Sequence, residues 1–77
     1  MSDSLADALP RQIERVTAKR DRWIRMTAEH PELTGGMNIT IALMQHEIMA
    51  GVRAAASGDV AAMMSAHEAL AAYSDGD

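Results

Sequence analysis

The chain has no cysteine and no phenylalanine, and Trp23 and Tyr73 are its only aromatic residues. Without cysteine it forms no disulfide and carries no thiol redox chemistry, which is typical of a cytoplasmic protein. No apolar run is long enough to span a membrane, and no apolar segment follows Met1 as a secretion signal requires. We therefore expect a cytoplasmic protein with no membrane partner.

Large apolar side chains are also scarce. The 77 residues are 48% apolar, and seven of them are methionine. A core of alanine and methionine with scattered leucine, isoleucine and valine is thin, and a domain this small lies near the lower limit for folding without metal or disulfide. We therefore expect the chain to bury further surface against itself or a partner.

Charge is distributed unevenly. The net charge is −4, but six of the seven basic residues fall between positions 11 and 25, where Glu14 and Asp21 are the only acids. The rest of the chain holds Arg53 and all the other acids. Such an asymmetry indicates a surface for a partner.

Hydrophobic periodicity predicts an all-α domain of three helices, at about 5–28, 38–56 and 59–73. They form a helical hairpin or three-helix bundle within a single domain, 1–77, with frayed tails at 1–4 and 74–77. A capping-box-like Ser4 and Asp7 begin the first helix.

The positions of proline and glycine predict where one helix ends and the next begins. The first helix stops before Pro31, and residues 30–37 are predicted as a loop. Asn38 is the predicted N-cap of the second helix, which the 3.6-residue period favours over a short strand at 39–41. Gly58 and Asp59 are predicted to end the second helix and cap the third.

Helix 1 has two contrasting faces. A basic stripe about 21 Å long is expected to be exposed opposite the apolar face. Three interpretations remain open for it: a solvated surface, a docking site for an acidic protein and, least favoured, phosphate contacts with nucleic acid. The apolar face is Leu9, Ile13, Val16, Trp23, Ile24 and Thr27, and the basic stripe is Arg11, Arg15, Lys19, Arg22 and Arg25.

Arg20 is the exception, because it falls near the centre of the apolar face. It either lays its methylenes on the core and reaches outward, or it pairs with a buried acid, Glu47 or Glu68, of this chain or of a partner. A third interpretation is an anion site in which a planar ring stacks on Trp23 and Arg20 holds a phosphate.

Helix 2 is apolar on two sides, one of them containing Ile39, Leu43 and Ala50. A monomer of this size covers one such side, so we expect a homodimer or larger assembly. The methionines either fill gaps in the alanine-rich core or form an adaptable binding surface. The predicted oligomer interface is Ile41, Met44, Ile48, Val52, Met63, Met64, His67 and Leu70.

The sequence predicts neither a catalytic site nor a metal site. Two His-Glu pairs, at His46 and His67, do not have the three- or four-residue spacing of helical metal motifs. No nucleophile and base share a recognisable spacing, so we predict no catalytic residue, metal, cofactor or enzymatic activity. The third helix lacks the Arg, Lys, Asn and Gln of a DNA-reading helix, so base-specific binding is not expected and nucleic acid remains only the less favoured partner, through phosphate contacts of helix 1.

Residues 51–59 (GVRAAASGD), the alanine-rich helices and the acidic tail resemble small helical accessory proteins of bacteriophages and other mobile elements. The resemblance implies a cytoplasmic protein that binds and inhibits a host factor, as quorum-sensing anti-activators do. Some proteins of this kind instead sequester a nucleotide signal inside a helical oligomer. We therefore expect a non-enzymatic protein that self-associates and binds a protein partner with an acidic patch; the alternative is an oligomeric binder of an anionic small molecule.

Overall fold

The computed structural model describes residues 4–74, and this part of the chain is all-α, as the sequence predicts. Three α-helices follow one another: α1 (Leu5–Glu29), α2 (Thr34–Ser57) and α3 (Val60–Ala71). They share one core in a molecule of 42 × 24 × 15 Å. No strand occurs among the described residues.

The start of α1 is capped as predicted. Ser4 has extended backbone angles, and its hydroxyl oxygen accepts a hydrogen bond from the Asp7 amide at 3.2 Å. The same hydroxyl donates to the Asp7 carboxylate at 2.9 Å. Of the two predicted frayed tails, only Ser4 and Ser74 are described, and both make hydrogen bonds. The rest of both tails lies outside the described residues.

The predicted loop at 30–37 is wrong. After His30 the chain forms a 3₁₀ turn, Pro31–Leu33, which leads directly into α2 at Thr34. Asn38 is therefore inside α2 and does not cap it. The glycines at 35 and 36 suggested a break, but glycine is compatible with helical angles at a cost of about 1 kcal/mol each.

The connection between α2 and α3 is confirmed. Gly58 adopts the left-handed conformation, with φ of 71°, and its N–H donates to the Ala54 carbonyl at 3.2 Å. Asp59 then caps α3, because its carboxylate accepts from the Ala62 amide at 3.3 Å. Two neighbouring residues thus turn the chain from one helix into the next.

The three helices meet at Gly51. A Cβ atom built there would lie 3.2 Å from both Ile13 Cγ1 and Leu70 Cδ1, so α1 and α3 both approach the α2 backbone at this point. All three helices contribute large side chains to the core. The buried apolar residues are Leu9, Val16, Met44, Ile48, Ala54, Met63, Ala66 and Leu70.

The short third helix leaves part of α2 uncovered. α3 has 12 residues and α2 has 24. Leu70, in the last turn of α3, already contacts α2 at Gly51. The N-terminal half of α2, which includes Ile39 and Leu43, therefore extends past the end of α3.

Candidate interaction surface

The structure corrects the predicted basic stripe at Lys19. This side chain is buried, with 2% of its surface exposed, and its ammonium donates to the carbonyl oxygen of Ser74. The ammonium also lies 5.4 Å from the centroid of the Trp23 ring, a cation–π distance. Lys19 is only about 40° around α1 from Trp23, so it belongs to the edge of the buried face and not to the opposite face.

Arg15 is only partly exposed and also serves the fold. Its Nη2 donates to the Leu70 carbonyl oxygen at 2.8 Å, in the last turn of α3. The last carbonyls of a helix carry a negative partial charge, so Arg15 stabilises the end of α3, while Lys19 holds the chain just beyond it at Ser74. Arg11 is exposed but is engaged within the chain as well. Arg22 and Arg25 are exposed, as predicted.

Within its own chain Arg20 pairs with Asp21 and not with Glu47 or Glu68. Its Nη2 lies 3.0 Å from Oδ1 of the neighbouring Asp21, and its side chain is 23% exposed. Lys19 is the cation at the Trp23 ring, whose Nε1 is buried without a hydrogen-bond partner among the described residues. In this structure Arg20 is therefore paired with Asp21, and the cation over the Trp23 ring is Lys19.

Half of the predicted oligomer interface lies inside the monomer. Met44, Ile48, Met63 and Leu70 are each less than a tenth exposed and form the core between the helices. The sequence shows two apolar sides on α2, and the side assigned to an interface is the one that the other helices cover. Of the remaining four predicted residues, Ile41 and His67 are half-buried, while Val52 and Met64 are exposed.

The other apolar side of α2 is the uncovered one. Ile39 is 79% exposed and Leu43 is 49% exposed. Six large apolar side chains are buried among the described residues, and eight are exposed. The exposed ones are Ile24, Leu33, Ile39, Leu43, Met49, Val52, Val60 and Met64.

An open groove of about 430 Å³ runs between α2 and α3. Its other lining side chains are alanine and serine, and Glu47 and Arg53 are its two charged residues. Counting along α2 in steps of three and four residues places Ile39 and Leu43 on the same side as this groove. We call these two residues and the groove together the groove surface. The groove is lined by Glu47, Ala50, Arg53, Ala54, Ser57, Ala62, Ser65 and Ala66.

Sequence reasoning identified Ile39, Leu43 and Ala50 as an apolar side but missed the groove. Its floor is alanine and serine, which occur throughout the chain and carry no periodic signal of their own.

Tyr73 lies near this surface, just beyond α3. Burial, and to a smaller extent the negative charge of Glu47, raise the pKa of its phenol above the usual 10.0. The end of α3 therefore lies near Glu47 on α2. This agrees with the register set by the contact of Leu70 with Gly51.

Within residues 4–74, no group of three or more His, Cys, Asp or Glu side chains could hold a metal ion. His46 is exposed and His67 is half-buried. None of the helices in the described part is long and apolar enough to cross a membrane. Comparison with protein-family models, with curated proteins and with solved structures finds no match to this chain.

Proposed function

We propose that this chain is a non-enzymatic interaction protein that self-associates and binds a protein partner. The observation that carries the proposal is the apolar surface. Eight large apolar side chains are exposed, whereas six are buried, among residues 4–74. Burying a fully exposed side chain of this kind contributes about 1.5–3 kcal/mol, and these side chains are 40–79% exposed, so covering several of them favours association.

The exposed apolar residues leave room for more than one contact. Ile39 and Leu43 are on the groove surface, whereas Met49 and Val52 lie elsewhere around α2 and are each 52% exposed. One side of α2 can therefore be covered by self-association while another binds a different protein. Inhibition of a host factor by a phage-encoded protein is the form of this function that the sequence resemblance favours.

The charges favour an acidic partner over nucleic acid. Arg22 and Arg25 are exposed on α1, but Arg15 and Lys19 are engaged with carbonyls at and just beyond the end of α3. Arg22 and Arg25 suit a small acidic patch on a protein, where they would raise the association rate. Stable phosphate binding depends on a larger number of free cations.

Sedimentation velocity at micromolar concentration tests the proposal. We expect a discrete species with at least twice the 8.3 kDa mass of the chain. A compact monomer over the whole concentration range would contradict self-association.

A further inference from the structure

We propose that the groove surface binds a second copy of this chain, with the two α2 helices antiparallel and a two-fold axis at Ala50. This inference rests on the proposed self-association and specifies its geometry. In this arrangement Leu43 of each copy enters the groove of the other. Three features of α2 support it: the position of the groove, the pattern of charge, and the small residues at the centre.

The position of Leu43 matches the position of the groove. Around a two-fold axis, a residue before the axis meets the residue equally far after it in the other copy. Leu43 is seven residues before Ala50, and Ser57 is seven residues after it, so each is about 10.5 Å from the axis. Ser57 lines the groove, where Ala54 and Ala62 leave space for a leucine side chain. The interface therefore covers an apolar side chain that is 49% exposed in the single chain.

The charges have the same symmetry. Glu47 is three residues before Ala50 and Arg53 is three residues after it. The antiparallel arrangement therefore brings Glu47 of each copy level with Arg53 of the other, which gives two pairs of opposite charge. A parallel arrangement would place Glu47 beside Glu47 and Arg53 beside Arg53. Charge complementarity thus selects the antiparallel dimer.

Small residues permit close approach. Ala50 is half-buried, and the groove floor beside it consists of alanine and serine. Leu70 in the last turn of α3 contacts α2 at Gly51, and the end of α3 lies near Glu47, so the N-terminal half of α2 extends past α3 and is open to the other copy. The groove of one copy and the uncovered half-helix of the other are therefore complementary.

Cysteine crosslinking tests the geometry directly, because the chain has no cysteine of its own. Residue 50 meets its own counterpart at the axis, so Ala50→Cys should form a disulfide-linked dimer on mild oxidation. The matched control is Ala56→Cys, which is exposed on the same helix and about 120° away around it. We expect rapid covalent dimerisation at position 50 and little at position 56.

The outcomes separate this inference from the proposed function. If both variants sediment as dimers but position 50 crosslinks no faster than position 56, self-association stands and the antiparallel geometry is wrong. If both variants sediment as monomers, the proposed function and this inference both fail.

Charge reversal gives a second test that does not depend on oxidation. Glu47→Arg and Arg53→Glu should each raise the dimer dissociation constant about tenfold, since each places like charges together twice. The double variant restores opposite charges and should recover most of the native affinity. Single variants with unchanged affinity, or a double variant weaker than both, would overturn the proposed pairing.

Discussion

The guanidinium of Arg15 on α1 donates a hydrogen bond to the carbonyl oxygen of Leu70 in the last turn of α3, at 2.8 Å. One turn further along α1, the Lys19 ammonium donates to the carbonyl oxygen of Ser74. Together these contacts attach the end of the shortest helix to the longest one. Part of the basic cluster between residues 11 and 25 therefore stabilises the fold.

Lys19 should matter more for stability than its neighbours on the surface. Lys19→Gln removes a buried charged donor and its contact with the Trp23 ring, and we expect a loss of about 1–3 kcal/mol in the free energy of unfolding. Arg22→Gln is the control, because Arg22 is exposed and should change stability by less than about 0.5 kcal/mol. Urea unfolding followed by circular dichroism measures both. Equal urea midpoints for the two variants would show that the buried Lys19 contributes nothing to the stability of the fold.

The glycines of α2 should respond differently to alanine. Gly36 has nothing within 4 Å of an added Cβ, so Gly36→Ala should gain up to about 1 kcal/mol from helix propensity. At Gly51 the same Cβ meets Ile13 and Leu70 at 3.2 Å, in the centre of the core. Tight packing should offset the propensity gain, leaving Gly51→Ala less stable than Gly36→Ala by about 1 kcal/mol or more.

Thermal unfolding of the two glycine variants provides the comparison. Gly58→Ala is a useful reference for strain, because Gly58 has a φ of 71° and alanine there should cost about 1 kcal/mol. If Gly51→Ala were as stable as Gly36→Ala, the close approach of three helices at Gly51 would not limit packing.

The junction of α2 and α3 shows what the sequence can predict. Gly58 and Asp59 act on their own backbone and on residues within one turn, so their roles follow from residue type and order. Ser4 at the start of α1 is predictable for the same reason. These local signals, together with the 3.6-residue period, predicted the three helices.

Tertiary contacts explain what the sequence could not predict. Met44 and Leu43 are neighbours on two apolar sides of α2, and only the position of α1 and α3 decides that Met44 is buried and Leu43 is exposed. Lys19 is buried because the chain beyond α3 places a carbonyl beside it. The start of α2 was missed because two glycines suggested a break that the backbone does not make.

Alkaline pH should destabilise the fold through Tyr73. Its pKa in the folded chain is raised above 10.0, chiefly by burial and further by Glu47. The folded state therefore holds the phenol proton more tightly than the unfolded state. This contribution to stability is complete below pH 10 and is lost as the pH rises through the raised pKa.

Unfolding midpoints measured from neutral to strongly alkaline pH test this expectation. Tyr73→Phe should remove part of the loss of stability at alkaline pH. Glu47→Gln should reduce that loss less, because burial is the larger cause of the raised pKa of Tyr73. If Tyr73→Phe loses as much stability at alkaline pH as the native chain, Tyr73 is not the source of that loss.

Self-association through the groove surface is tested most directly by sedimentation of two matched variants. Leu43→Asp and Met49→Asp each place a carboxylate on α2 at a side chain of nearly equal exposure, 49% and 52%. Leu43 lies on the groove surface and Met49 does not. We predict that Leu43→Asp raises the dimer dissociation constant at least about 30-fold, while Met49→Asp sediments like the native chain. If Leu43→Asp dimerises with native affinity, the groove surface is not the site of self-association, whatever the affinity of Met49→Asp.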